Sequence, residues 1–182
     1  MRTLSKAVSV AVLLGGLVSS PVSSQASIDI EDFRAMLIDG FEKARTMDLE
    51  FAMAIPDSAL RWAPTEGVRT FTKQVAHGGL ENTLFVAGPV LGEAMPERGD
   101  TAVYLNDREA LIAELNSAYD YVIAGVQALP AEEFLVETTL FGQQMPKWRV
   151  MLQALTHGIW TRGQMVPYFR LNGMAPPRYR AF

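Results

Sequence analysis

The stretch that decides the fold runs from Ala154 to Pro177 and reads "ALTHGIWTRGQMVPYFRLNGMAPP". Apolar residues recur along it at spacings of three and four, which predicts an amphipathic helix. The face opposite the apolar one mixes polar and apolar groups around His157, one of two histidines in the chain. Such a helix is typical of the inside of a bundle, with its second face against a cleft or a partner.

Breaker residues set the bounds of this helix, the fourth in the chain. Pro146 suits its first turn, since the missing N–H is not needed there. Pro167 lies inside the helix, and its ring would collide with the carbonyl of Gly163. We therefore expect a kink at Pro167 and an end at Leu171 or Asn172.

Three more amphipathic segments precede this helix. Asn106 and Glu109 resemble a capping box at the start of the third. Residues 134–146 ("FLVETTLFGQQMP") are rich in β-branched and aromatic residues, which favours an extended hairpin arm. The sequence thus predicts an all-α protein, a four-helix bundle. The first three helices are predicted between capping and breaking residues, from Asp29 to Pro56, Thr70 to about Ala87, and Asn106 to Pro130.

Composition restricts the classes of function. With 182 residues, 49% of them apolar and 20% charged, the chain is typical of one globular domain. A net charge of -4 without a dense Lys and Arg cluster argues against a nucleic-acid-binding protein. The absence of cysteine excludes disulfides, thiolate metal ligands and cysteine nucleophiles.

Residues 1–26 have the pattern of a secretory signal peptide. Two basic residues precede an apolar run at 7–18, and small residues lead to a predicted cleavage site after Ala26. The mature domain, 27–182, then carries 14 basic and 20 acidic residues, a charge of -6. We expect a periplasmic or secreted protein that does not associate with membranes after cleavage. An uncleaved anchor is the alternative, although the run is shorter than the ~20 apolar residues that span a bilayer.

Each of two predicted helices carries a short polar stripe with one histidine. On the second helix, His77 shares its face with Glu81, four residues on. If the stripes face each other, they enclose a polar pocket of the kind in which bundles hold metals and ligands. His77, His157 and Glu81 would form a ligand set for zinc, nickel or ferrous iron. Hydrogen bonding without metal is the alternative. The remaining predicted pocket residues are Gln74, Thr161, Gln164 and Tyr168.

The segments "FTKQVAHGGLENTLF" (71–85) and "MLQALTHGIWTRGQMVPYFRLNGMAPP" (151–177) resemble the DinB-like family of four-helix-bundle metalloproteins. The resemblance implies His77 as one metal ligand and His157 as a second. It covers the mature chain and includes Arg162, Gly163, Gln164, Tyr168, Arg170, Gly173, Pro176 and Pro177. Characterised relatives include metal-dependent transferases that act on low-molecular-weight thiols, and others are hydrolases or isomerases.

The chain departs from the family pattern at Thr161, where the resemblance implies histidine as the third ligand. A neutral hydroxyl is a weak ligand, so the resemblance implies weakened metal binding. Three interpretations stay open. The protein is a metal-dependent transferase or hydrolase with Glu81 or Gln164 assisting, a non-catalytic bundle that binds a small molecule or partner, or a structural bundle that forms a homodimer.

Residues outside the stripes have simpler interpretations. Arg162 and Arg170 are expected at the surface, solvated or ion-paired, with an anchoring contact as the alternative for Arg162. The tryptophans are expected in the core or an interface, at Trp62, Trp148 and Trp160.

Overall fold

A computed structural model describes residues 29–180. Four long helical segments pack together as a bundle, and the second and the fourth are each formed by two consecutive helices. The predicted signal peptide lies outside the described residues. Among residues 29–180, no helix has the length and apolarity needed to cross a membrane. The elements are α1 (Ile30–Ala54), α2 (Phe71–Leu80), α3 (Asn82–Val86), α4 (Thr101–Tyr104), α5 (Arg108–Ala128), β1 (Glu137–Leu140), β2 (Gln143–Pro146), α6 (Lys147–Gly163) and α7 (Val166–Leu171).

Helix α1 begins at the predicted cap and buries an apolar stripe. The Asp29 carboxylate accepts a hydrogen bond from the Glu31 backbone N–H at 2.9 Å, and such caps stabilise by roughly 1 kcal/mol. The helix ends at Ala54, just before Pro56. Each large apolar side chain that it buries stabilises the fold by about 1.5–3 kcal/mol. The buried stripe comprises Leu37, Phe41, Ala44, Met47 and Phe51.

The second predicted helix is interrupted at Glu81, which separates α2 from α3. The Asn82 side chain donates to the Gly79 carbonyl, and the Thr83 hydroxyl donates to the Leu80 carbonyl. Side chains that bond nearby carbonyls compete with the regular helical hydrogen bonds. A π-helical turn (87–91) extends the segment beyond its predicted end.

Helix α5 is capped one residue later than predicted. The Asp107 carboxylate accepts from the Ala110 N–H at 2.7 Å, whereas the Asn106 amide donates to the Ala102 carbonyl. The capping box at Asn106 was therefore wrong, because the preceding loop contains the short helix α4, which engages Asn106 instead.

The predicted kink at Pro167 is a complete break. Helix α6 ends at Gly163, and α7 starts at Val166 with Pro167 in its first turn. A proline in a first turn removes no intrahelical hydrogen bond. Two consecutive helices therefore replace the single fourth helix.

The bundle carries one antiparallel hairpin, so the fold is not wholly α. Leu140 of β1 pairs with Gln143 of β2, as the predicted hairpin arm requires. The two residues between them, Phe141 and Gly142, have φ of 50° and 80°. Two consecutive positive φ values are typical of a type I′ turn. The side chains of Leu140 and Met145 are buried against the bundle.

Candidate functional site

The two histidines meet between α2 and α6. The Nε2 atoms of His77 and His157 are 3.3 Å apart, and the ring planes are nearly perpendicular, at 85°. The helices approach closely because Gly78 has no side chain: a Cβ there would lie 3.0 Å from Cγ2 of Thr161. The polar stripes of the second and fourth helical segments therefore face each other.

The spacing of the two Nε2 atoms suits a shared metal ion. Hydrogen bonds from N–H groups are usually about 2.9–3.0 Å long, so 3.3 Å between His77 and His157 is long for one. Two nitrogens bound to a tetrahedral zinc at about 2.0–2.1 Å lie about 3.3–3.4 Å apart. The imidazoles thus fit two positions of one coordination sphere.

Thr161 occupies the third position beside the histidine pair. Its side chain is buried, with 1% of its surface exposed, and its Oγ1 is 3.5 Å from Nε2 of His157. A hydroxyl in this position is able to hold a water molecule or donate a hydrogen bond. It is a far weaker metal ligand than an imidazole.

Burial favours the neutral form of both site histidines. Burial lowers the pKa of His77, the charge of Arg69 lowers it further, and Glu81 opposes the shift. Burial also lowers the pKa of His157, with His77 as the second cause. A neutral imidazole has a lone pair for a metal ion or a proton.

The Glu81 carboxylate does not join the two histidines in a metal-ligand set. Its carboxylate forms an ion pair with Arg98 at 3.6 Å, and Arg98 also donates to the Leu80 carbonyl and the Thr83 hydroxyl. Within the part of the chain that the structure describes, no three His, Cys, Asp or Glu side chains form a metal-binding group. Glu81 therefore acts on the histidines through its charge.

The other predicted pocket residues divide into two groups. The buried amide of Gln74 donates to Oε1 of Gln164 at 3.1 Å and to the Thr161 carbonyl at 3.4 Å. These contacts tie α2 to the end of α6 beside the site. The Tyr168 hydroxyl instead donates to the Arg69 carbonyl at 2.6 Å, so Tyr168 anchors the connector that leads into α2.

A cleft of about 370 Å³ opens beside His157, between α6 and the hairpin. The hairpin was predicted, but its role as a cleft wall was not. The exposed Trp160 forms part of this wall, so it does not lie in the core, and of the two positions predicted for it only the interface stays a prediction. The lining residues are Phe85, Leu140, Phe141, Gln143, Met145, Gln153, Thr156, His157 and Trp160.

Arg162 is buried, contrary to the surface position predicted for it, with 3% of its surface exposed. Its Nη1 donates to Oδ1 of Asp48 at 2.6 Å and to the Ala44 carbonyl at 3.2 Å, while the Tyr119 hydroxyl donates to Oδ2 of Asp48 at 2.5 Å. Burial lowers the pKa of Arg162, but the charges of Asp48 and Tyr119 and the hydrogen bonds with both together outweigh burial and leave that pKa raised. Because Arg162 follows Thr161 directly, this pair fixes α6 against α1 beside the site. Arg170 is exposed, as predicted.

Comparison with known protein families assigns the chain to one of them. The model of the DinB superfamily matches residues 40–165. The chain belongs to the DinB superfamily. Comparison with curated proteins found no match. A crystal structure of a DinB-like protein from Bacillus subtilis aligns with a TM-score of 0.63 at 20% identity, covering 79% of this chain and 96% of that one. A DinB-like protein from Bacillus cereus aligns with a TM-score of 0.67 at 17% identity, covering 83% and 97%. At these identities the two structures show the fold alone.

In this DinB-superfamily chain, the site combines a histidine pair and a cleft. The Nε2 atoms of the two imidazoles lie close together, with the Thr161 hydroxyl beside them. The cleft lies next to His157. Such an arrangement is able to hold a divalent metal next to a small molecule, or to donate and accept hydrogen bonds without metal.

Proposed function

We propose that this DinB-superfamily protein is a divalent-metal-dependent transferase or hydrolase that acts on a small molecule, with His77 and His157 holding the metal. The 3.3 Å separation of the two Nε2 atoms supports this proposal, because it matches two ligands of one metal ion. A bound metal would lower the pKa of a thiol or water. Thr161 leaves the metal-ligand set one imidazole short, so the protein is expected to bind the metal weakly and to exchange it readily.

The chain's own groups have separate tasks in this proposal. Burial lowers the pKa of both imidazoles, which favours the unprotonated form whose lone pair binds a metal. The Thr161 hydroxyl hydrogen-bonds the oxygen or sulfur of the reacting group next to His157. The hydrogen bond between the side chains of Gln74 and Gln164 holds α2 against the end of α6. The cleft holds the substrate at the His157 edge of the site.

Metal titration of the untagged protein tests the proposal. After chelation and dialysis, zinc and cobalt are titrated into the wild type, His157→Ala and Arg149→Ala, with calorimetric detection. Arg149 is exposed on α6, which makes it a matched control. We expect one bound metal per chain in the wild type and in Arg149→Ala, and none in His157→Ala. A wild type that binds no more metal than His157→Ala contradicts the proposal.

A second candidate function is the binding of a small ligand without metal or catalysis. It is supported by Thr161 at the third ligand position and by Nδ1 of His157, which is buried and accepts or donates no hydrogen bond in the structure. In a metal-bound histidine, the N–H of the other ring nitrogen usually donates a hydrogen bond to a second group. Ligand binding that is unchanged by a chelator, in a wild type that takes up no zinc, favours this candidate.

We also propose that the protein is exported, as the pattern of residues 1–26 indicates. The test is cell fractionation followed by N-terminal sequencing of the recovered protein. An N-terminus just after Ala26 in the periplasmic or secreted fraction is the expected result. Cytoplasmic protein that keeps its first residues contradicts it.

A further inference from the structure

We propose that the cleft beside His157 binds the aromatic ring of an uncharged small molecule against Phe141 and Trp160. The inference rests on the proposed function, because it names the substrate class of that same site. The cleft measures about 370 Å³, at the small end of the roughly 300–1,000 Å³ typical of ligand pockets. That volume suits a molecule of one or two rings.

The lining of the cleft disfavours a charged ligand. Among the described residues that form its wall, none is a lysine, arginine, aspartate or glutamate. The polar groups there are the neutral side chains of Gln143, Gln153 and Thr156, with His157 at the inner edge. A carboxylate or ammonium group would lose its hydration without gaining a partner of opposite charge. A neutral molecule with one or two hydrogen-bonding groups avoids this cost.

Two large aromatic side chains lie exposed at the cleft. Phe141 is 73% and Trp160 is 74% exposed, so neither contributes much to the core. The Phe141 ring contacts the buried Phe85 edge to face, with centroids 5.7 Å apart. Phe85 in turn contacts the His157 ring at 5.3 Å. A continuous line of rings therefore leads from the cleft mouth to the histidine pair.

The backbone at Phe141 shows that its side chain is kept at a cost in conformational energy. Its φ is 50°, in the left-handed region that bulky residues avoid. Type I′ turns favour Asn-Gly at these two positions, and here Phe-Gly takes their place. An exposed phenylalanine gives the fold no compensation through burial. Strained residues of this kind cluster at functional sites, and the contact that Phe141 offers is with a ligand in the cleft.

A matched pair of probes tests the charge and ring preference. Naphthalene-2-methanol and 2-naphthoate share one ring system and differ in charge. Each is titrated into the protein in the presence of a chelator, with calorimetric detection. We expect the alcohol to bind at least about tenfold more tightly than the carboxylate, a difference typical of a charge buried without a partner. A carboxylate that binds as tightly as the alcohol overturns the proposal.

Variants locate the binding. Trp160→Ala and Phe141→Asn should each weaken binding of the alcohol about three- to tenfold, as loss of an aromatic contact does. Phe141→Asn should also raise the melting temperature, because asparagine suits the turn. Leu171→Ala removes another largely exposed apolar group, from α7, outside the cleft, and should bind like the wild type. Unchanged binding in both aromatic variants overturns the proposal.

The assay separates this inference from the proposed function. Because the chelator removes metal, binding of the alcohol depends on the cleft alone. Metal binding is measured separately with the His157→Ala variant. If the protein binds the alcohol but takes up no zinc, the cleft proposal holds and the metal proposal is refuted. If it takes up zinc but does not bind the alcohol, only the metal proposal holds.

Discussion

Replacing Thr161 with histidine should raise the affinity of the protein for zinc at least about 100-fold. Thr161 lies one helical turn after His157, and its Oγ1 is already 3.5 Å from Nε2 of His157. Histidines four residues apart on a helix present both imidazoles to one metal ion. Loss of even an indirect partner weakens metal sites about 10–100-fold, so a third direct ligand should exceed that range. A 100-fold gain corresponds to about 2.7 kcal/mol.

The larger ring must enter a closely packed region. Thr161 is 1% exposed, and α2 contacts it through Gly78. Overpacking of this kind costs about 1–3 kcal/mol, which lowers the melting temperature of a chain of this size by about 2–12 °C. Zinc at a hundred times its dissociation constant adds about 2.7 kcal/mol, or about 5–11 °C. The variant should therefore melt below the wild type without zinc and gain more from zinc.

Thermal melting followed by circular dichroism, with and without zinc, measures both effects, and calorimetry gives the affinity. Thr161→Gln is the control, since it adds bulk to the same position without an imidazole. It should lose stability and gain no zinc affinity. A folded Thr161→His protein that binds zinc no more tightly than the wild type would refute the reasoning, because it would show that positions 77, 157 and 161 do not converge on one metal.

Three further predictions concern the packing and protonation of the site. Gly78→Ala should push α2 away from α6 and weaken zinc binding. Gly163→Ala, whose added Cβ meets nothing within 4 Å, should stabilise the fold by up to about 1 kcal/mol and leave zinc binding unchanged. Equal effects of the two variants in calorimetry and urea unfolding would contradict this prediction. Arg162→Met leaves the carboxylate of Asp48 buried without its partner and should cost about 3–5 kcal/mol in urea unfolding. The double variant with Asp48→Leu should recover most of that loss, and a double variant as unstable as the single one counts against the ion pair. On acidification, zinc affinity should begin to fall at a lower pH than expected for free imidazoles, whose pKa is about 6.5, because burial lowers the pKa of both site histidines. A decline that begins at or above the pH expected for free imidazoles is the opposing result.

Local patterns predicted the helical fold and its hairpin well. The stripe on α1, the cap at Asp29 and the extended segment 134–146 depend on periodicity and on residues close in the chain. His77 and His157 were each placed on a polar helix face, and the structure brings these faces together. Helix periodicity is sufficient for this, because a bundle has few ways to pack two such faces.

Other features depend on contacts between distant residues. Arg162 was expected at the surface, but its partner Asp48 lies 114 residues earlier, and no local pattern connects the two. The break at Glu81 arises from side-chain hydrogen bonds of Asn82 and Thr83 that a helical wheel does not represent. The cleft requires the position of the hairpin against α6, which the identities of its residues do not determine.

The hairpin is attached to the bundle by residues that lie outside its turn. Leu140 and Met145 attach it to the core, while the turn at Phe141 and Gly142 is exposed and supports no helix. Substitutions in the turn therefore alter what the cleft admits without altering the histidine pair, which stands on α2 and α6. An engineer who wishes to change the selectivity of this bundle can begin at Phe141, where asparagine would also relieve the strained backbone. Gly142 should be kept, because its φ of 80° disfavours any other residue.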